Sequence, residues 1–565
     1  MRGAFALGLG VLGLLSTSCE KSKFGSLLES KRLAPIILRE SPGLREAILR
    51  ELEAQLVVEE PEEPTELAPG EAANVAAVEP AAAEESLVRG SSSNGAVDED
   101  AEEEGAEARL SDERANVARE RPRLASIAHE TWIYAEPKPR ARRIGYLRGG
   151  AVVPRSVEPV GTAGCKGGWY RVGAADKEEE PKGAGTGFVC LGRTASLNPY
   201  HPVVEALDVR PKLDGIPYDY VMGRIPGPPM YSRVPTREEQ AREEPDLSHH
   251  LKKVKSLARD PSFVAPPEPG PMHDALLYGR SLPRFNDEPA TDALVLGRAG
   301  VRSGFALVGQ FEDEGRQFGV TTELRLIPLD RTRWIQPSTF HGLALDEQTT
   351  LPVGFVMKKK AHRYSRDERG RMTESTATSY REAIALTDRR EGGYREAKDG
   401  SWVREQDLRV VGAMTRAPVW AREGKRWLDV SILEQSLVAY EGQKPIYVTL
   451  VSTGAGGLGD PKTTHATVQG AFLIHTKHIT TTMDGDETGD EFDLRDVPFV
   501  QYFNEGYALH AAYWHDDFGT PRSHGCVNLA PTDAAWLFQF TTPDVPKGWH
   551  GALSLKRGTV VYTHP

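Results

Sequence analysis

The 565-residue chain reads as mainly β, and three observations predict it. From Trp132 onward, short runs of aromatic and β-branched residues alternate with Gly and Pro turns, the pattern of small sheets. From Arg426 to the end the text is again alternating strands, with one helix expected at 531–541, entered through Pro531. Residues 25–131 hold no aromatic residue, which sets the folded body after them. The length allows roughly three to four domains of about 150 residues.

The chain opens Met1-Arg2-Gly3, continues apolar from Ala4 to Leu15, and reaches Ser16-Thr17-Ser18-Cys19. A positive start, a short apolar core and small residues before a break describe a secretory signal peptide over 1–19. Twelve residues rise only about 18 Å as a helix, short of the ~30 Å hydrocarbon core. Cys19 after small residues resembles a bacterial lipoprotein signal, although Ser16 stands where that family usually has Leu. The resemblance implies lipidation of Cys19, a membrane anchor and an exported protein of the periplasm or cell envelope.

Residues 20–123 read as a disordered acidic tether. Glu-Glu-Pro-Glu-Glu-Pro at 59–64, an Ala/Glu stretch and the run Asp98 to Glu104 carry little that could form a core. The formal net charge of −12 is concentrated here: residues 51–110 hold 18 acids against Arg89 and Arg109, a balance of −16. The other 505 residues carry +4, a nearly balanced body. The overall acidity argues against a nucleic-acid partner, because binding phosphates favours a basic face. Leu44, Ile48, Leu52 and Leu56 recur every four residues after Ser41-Pro42 and read as a short or transient helix.

Between 124 and 195 the strands are Trp132-Ile133-Tyr134, Arg143 to Leu147, Ala151-Val152-Val153, Gly168 to Val172 and Gly187 to Cys190, a small barrel. Their order is similar to bacterial SH3-like domains, which commonly bind cell-wall peptides. Cys165 and Cys190 fall inside this module and form a candidate disulfide, which an oxidising compartment permits. Residues 196–425 read as a β-rich middle region. Gly392-Gly393-Tyr394-Arg395 and Gly400-Ser401-Trp402-Val403 echo Gly168-Trp169-Tyr170-Arg171 and Gly187-Phe188-Val189, so divergent SH3-like repeats are expected there, one of them around Tyr231 to Phe311.

Cys526 is then left over, and an unpaired cysteine in an exported protein suggests a reactive thiol. It sits in Ser523-His524-Gly525-Cys526-Val527-Asn528, and His510 stands 16 positions upstream in Tyr507-Ala508-Leu509-His510. A free thiol near pKa 8.5 is only a few per cent thiolate at neutral pH, so a neighbouring histidine is needed to take its proton. Gly525 permits a tight turn, and loop amides could face an oxyanion. A buried inert cysteine or a metal site with two histidines would use the same residue types, but no fourth ligand is obvious.

The whole string, with a histidine 16 positions before the cysteine, resembles the signature of the L,D-transpeptidases, cell-wall enzymes with a β-sandwich-like catalytic domain. Trp427-x-Asp429-Val430, Glu434-Gln435-x-Leu437, Ala439-Tyr440-Glu441-Gly442 and Val451-Ser452-Thr453-Gly454 extend the resemblance over 426–565. Thr467-Val468-Gln469-Gly470 stands where the family has Thr-Pro-x-Gly, and Ala511 follows the histidine where relatives often have Gly or Ser. The resemblance implies Cys526 as nucleophile and His510 as general base, with His524 in the catalytic loop. It also implies that Gly525, Ser523 and Asn528 shape the site and its oxyanion hole. It implies peptidoglycan as partner, no cofactor, and crosslinking through a thioester on Cys526. Release of the thioester by water, attachment of a protein to the wall, or a vestigial wall-binding scaffold are the alternatives. Asp484-Gly485-Asp486-Glu487-Thr488-Gly489-Asp490 partly copies a calcium loop, but its twelfth place is Arg495, so an acidic lid is the expectation and no metal is assigned. His475 and His478 read as strand-end surface residues.

Overall fold

A computed structural model describes residues 122–565, except 174–184, 258, 260–263, 265, 278–280, 301 and 486–491. The signal peptide, Cys19 and nearly all of the tether lie outside the described residues, as does most of the acidic run 484–490. Among the described residues the chain is mainly β, and its helices are short. The acidic run begins within the strand Thr476–Gly485, which ends in Asp484 and Gly485. Arg495, at the twelfth place, is held between Glu323 and Asp493.

The first module runs from the strand Arg123–Ser126 to Ala195–Ser196, and all its internal pairings are antiparallel. Glu130–Tyr134 pairs with Arg143–Arg148, and the turn after it takes Gly150 at φ 83°, a conformation that glycine adopts without a Cβ clash. Alternation buries Leu124, Ile133, Leu147, Val153, Tyr170, Val172 and Val189 as one core. Cys165 and Cys190 are joined by a disulfide, with Cα atoms 5.9 Å apart. The bridge closes a loop across a sequence separation of 25, which is worth about 3–4 kcal/mol through the unfolded chain. Replacing both cysteines by serine is expected to lower the unfolding temperature under oxidising conditions. The difference from the native chain should vanish when both are measured in reductant.

This first module, its strands divided between a three-stranded sheet and one end of the largest sheet, is built into the rest of the body. Its strand Arg143–Arg148 pairs with Gly551–Leu553 near the carboxy terminus, Gly145 opposite Ala552 and Tyr146 opposite Gly551. Trp549 joins the core of this module. Gly145 is required there, because an added Cβ would lie 2.4 Å from the Trp549 ring.

The region 196–425 contains two further β modules. The first spans the strands Asp219–Gly223 to Thr332–Trp334. Its helix Arg237–Glu243 starts in a Thr236/Glu239 capping box and leads to Glu244, buried and ion-paired with Arg316 and Arg331. The second spans Val353–Val356 to Leu408–Val411 around Val356, Ile384, Leu386 and Val403. In it Tyr394–Ala397 pairs antiparallel with Trp402–Arg404, as Trp169–Val172 pairs with Gly187–Cys190 in the first barrel. Both echoed stretches of sequence are therefore antiparallel strand pairs.

The carboxy-terminal domain packs two sheets. One has the order Leu343–Ala344, Lys444–Leu450, Ser436–Glu441, Arg426–Ser431, Val560–His564, Gly470–Leu473. Its edge strand thus comes from residues 343–344, upstream of the boundary expected at 426. The other is built on the hairpin Thr476–Gly485 and Phe492–Asn504, continued by Tyr507–Ala511 and Val527–Leu529. Leu428, Val430, Leu437 and Ala439 of the first sheet meet Ile479, Phe499, Phe503, Leu509 and Val527 of the second. The helix Pro531–Phe540 closes one side with Ala534, Leu537 and Phe538. Asp533 ties it to the sheet, accepting from Gly342 N–H at 2.8 Å, Tyr447 O–H at 2.7 Å and the Thr449 hydroxyl.

The histidines expected at the surface are partly enclosed. His478 Nδ1 meets the Tyr146 hydroxyl at 2.9 Å across the barrel contact, and burial lowers the proton affinity of His475 to a pKa of about 4. Lys477 between them is buried. Its ammonium donates to the carbonyls of Phe538 at 2.5 Å and Thr541 at 2.7 Å, at the carboxy end of the helix. The pattern His-Thr-Lys-His looks solvent-facing in sequence because nothing local records the sheet and helix that cover it.

Candidate active site

Tyr507–Ala511 and Val527–Leu529 lie side by side and parallel, with Leu509 opposite Val527 and His510 opposite Asn528. Side chains alternate along a strand, so positions 508 and 510 on one strand share a face with 526 and 528 on the other. This register brings His510, Asn528 and the Cys526 end of the loop to one side. The other side, Leu509 and Val527, faces the core.

The loop that presents Cys526 is held by its own motif residues. The Ser523 hydroxyl donates to the Cys526 carbonyl and accepts from Gly525 N–H at 3.1 Å. That contact holds the Gly525 amide within the loop. Gly525 has φ 117°, and a Cβ there would lie 2.7 Å from the Tyr507 ring. From below, the backbone N–H groups of Arg522 and Ser523 both donate to Thr453 O, at 2.8 and 3.0 Å. Gln435, buried and at φ 49°, in turn accepts from Thr453 N–H at 2.9 Å.

Thr467 is a further support, visible in the sequence only as part of an altered Thr-Pro-x-Gly. Its buried hydroxyl donates to the Gly525 carbonyl at 2.8 Å and accepts from Gly454 N–H at 2.9 Å. Thr467→Val keeps the shape and strands both backbone groups, at a cost of about 1–3 kcal/mol. The variant is expected to unfold earlier and to acylate at Cys526 about tenfold more slowly, checked by thermal unfolding and time-resolved intact mass.

Cys526 is partly exposed and carries no disulfide, and its thiol lies 3.6 Å from Gly506 O. His510 is buried. Its Nδ1 meets the carbonyl of Ala511 at 3.0 Å, which places the ring proton on Nδ1, and its Nε2 meets the Asn528 amide nitrogen at 3.0 Å. Trp514 lies beside the ring with centroids 5.8 Å apart. His524 points away from this core. It is exposed, with its ring 4.5 Å from His465 and 5.1 Å from Phe492, so these three rings form the rim of the site. Burial raises the pKa of Tyr507, keeping the phenol neutral beside the loop. His465, Phe492 and His515 carry no motif signal and were not singled out by sequence reasoning. Among the described residues no group of three or more His, Cys, Asp or Glu is placed to hold a metal ion.

Residues 425–562 match the family model of the YkuD domain, the L,D-transpeptidase catalytic domain. The Bacillus subtilis protein YciB, which carries an L,D-transpeptidase name, is 27% identical over 139 residues, covering 20% of this chain and 59% of that protein. Among solved structures, an L,D-transpeptidase from Stackebrandtia nassauensis is 26% identical with a TM-score of 0.18, covering 25% of this chain and 56% of that one. The catalytic domain of an E. faecium L,D-transpeptidase is 21% identical with a TM-score of 0.20, covering 25% of this chain and 98% of that domain. The chain thus spans less than two thirds of YciB and of the Stackebrandtia structure, and the similarity lies in its carboxy-terminal quarter.

Proposed function

We propose that this protein is a cysteine-dependent L,D-transpeptidase that crosslinks peptidoglycan stem peptides through a thioester on Cys526. The observation that carries the reading is the parallel register that brings the Cys526 loop beside His510, with the His510 ring anchored by the Ala511 carbonyl. With the proton on Nδ1, the basic lone pair is on Nε2, which exchanges its contact with Asn528 for the thiol proton as the reaction begins. The Cys526 thiolate adds to the carbonyl between the L-centre of the third residue and D-alanine. Collapse of the tetrahedral adduct breaks the C–N bond, and the proton on His510 passes to the departing D-alanine amine. An amine from a second stem then attacks the thioester, releasing the thiol and forming the crosslink. Ser523, Gly525 and Asn528 hold the loop in shape, and His524 with His465 and Phe492 lines the approach.

The rest of the chain fits a wall-facing role. The first barrel and the middle module brace the catalytic domain through shared sheets. A lipid on Cys19 and the acidic tether would set the reach from the membrane. Radiolabelled fatty acid is expected to enter the native chain and not Cys19→Ala; no label in the native chain overturns the anchor. For the reaction, the protein is incubated with disaccharide tetrapeptides and the products are read by mass spectrometry. Crosslinked dimers that have lost one D-alanine support the proposal. Tripeptides alone would replace it with an L,D-carboxypeptidase, and unchanged tetrapeptide would overturn it.

A further inference from the structure

We propose that His515 is a positioning residue for His510, acting by fixing which way the Asn528 side-chain amide faces. The inference rests on the reading of His510 as the base for Cys526 and adds a residue to it.

The chain of contacts starts at the backbone. Asp517 N–H donates to His515 Nδ1 at 3.2 Å. A ring nitrogen that accepts carries no proton, so the neutral ring holds its proton on Nε2. That nitrogen meets Asn528 Oδ1 at 3.2 Å and donates to it. The Asn528 amino group then faces His510 Nε2 at 3.0 Å, and an amino group only donates. His510 must therefore present its Nε2 lone pair and keep its proton on Nδ1, where the Ala511 carbonyl accepts it at 3.0 Å. Four hydrogen bonds run in one direction, and each fixes the polarity of the next.

The geometry leaves Asn528 a single alternative. Its backbone is clamped by two hydrogen bonds with Ser452, N–H to O and O to N–H, both 2.9 Å. The side chain can change state only by turning its amide over. That would set the amino group against His515 Nε2–H, donor against donor, and Oδ1 against the His510 lone pair. His515, Asn528 and His510 are 8%, 3% and 2% exposed, so water is not at hand to relieve either clash. His515 could accommodate the turned amide only by moving its proton to Nδ1, where Asp517 N–H already points. Burial also lowers its pKa, against the raising effect of the Asn528 hydrogen bond and of Asp517 and Asp516 and with Arg522 acting the same way as burial, so the ring stays neutral. Phe518 at 5.1 Å and Trp514 at 6.1 Å between ring centroids hold it in plane.

The test compares the full chain with His515→Phe, which keeps the ring packing and deletes both polar contacts, and with His515→Gln, whose amide can donate to Asn528 Oδ1. Two measurements are made on each folded protein. One is the rate of Cys526 acylation by a carbapenem, read by intact mass. The other is the histidine tautomer of His510, read from ¹⁵N ring shifts, which needs no turnover. His515→Phe is expected to acylate about tenfold more slowly and to show His510 as a mixture of tautomers, and His515→Gln to return to within about threefold of the native rate. A native-like rate and a single Nδ1–H tautomer in His515→Phe would overturn the proposal. So would a folded His515→Gln that is as slow as His515→Phe. If the native chain takes no adduct, the reading of Cys526 fails, whereas the tautomer comparison still decides the role of His515.

Discussion

Cys526→Ala is expected to abolish both crosslinked product and carbapenem adduct. Cys526 is the one free cysteine among the described residues, the other two being locked in the Cys165–Cys190 bridge. A carbapenem ring offers an activated carbonyl like that of the stem peptide, so intact mass before and after treatment reads the same thiol chemistry without a wall substrate. Loss of the nucleophile should lower turnover by at least about 10³-fold, since binding and loop dipoles alone give little acyl transfer. His510→Ala should fall by roughly 10²–10⁴-fold, with the residual rate rising at high pH, where the thiol ionises unaided. An equal adduct on native protein and Cys526→Ala would place the acylated group elsewhere and remove the mechanism.

The second large effect is structural and falls on Asp496. Its carboxylate accepts from Arg148 of the first barrel, including a 3.0 Å contact from Nη2, and from the hydroxyls of Thr322 in the middle module and of Thr480 at 2.7 Å. Its own carbonyl accepts from the Tyr220 hydroxyl at 2.7 Å. Three modules therefore meet on one buried acid. Asp496 also sits at φ 52°, a left-handed conformation that Asp tolerates better than Ala. Asp496→Ala removes the carboxylate shared by a guanidinium and two hydroxyls, at a cost of about 3–5 kcal/mol. The expected result is an earlier first unfolding transition, with faster proteolysis between the first barrel and the catalytic domain. Because Phe492 lies on this same strand and the Cys526 loop leads into Val527–Leu529, joined to it through Tyr507–Ala511, acylation should slow as well. A variant with an unchanged transition and unchanged proteolysis would show that the modules hold together without this acid.

Much of the local structure was legible in the chain. The strand carrying Trp132-Ile133-Tyr134 and the helix starting at Pro531 stand where alternation and the proline placed them. Cys526 and His510 could be found because the string Ser523 to Asn528 with a histidine upstream resembles a known signature, and such a loop is written in consecutive residues. Thr467 and His515 could not be found this way. Thr467 acts through hydrogen bonds with Gly454 and Gly525 and His515 through one with Asn528, and a lone Thr or His does not record such partners. The partial enclosure of His475 and His478, and the strand that residues 343–344 add to the sheet, were not legible for a related reason. A covering helix, or an edge strand donated by Leu343–Ala344, is invisible from the covered segment.

The sequence by itself determined the residues on offer: a mainly β body, a six-residue loop carrying Cys526 and a histidine on the preceding strand, with the net acidity confined to residues 51–110. Periodicity and turn chemistry act over a few residues, so they survive in one dimension. Only the tertiary structure decided that the first barrel shares a sheet with residues 551–553 and that His510 receives its polarity through Asn528 from His515. Both depend on backbone and buried polar groups finding partners across the fold, and that requirement is met in space, not along the chain.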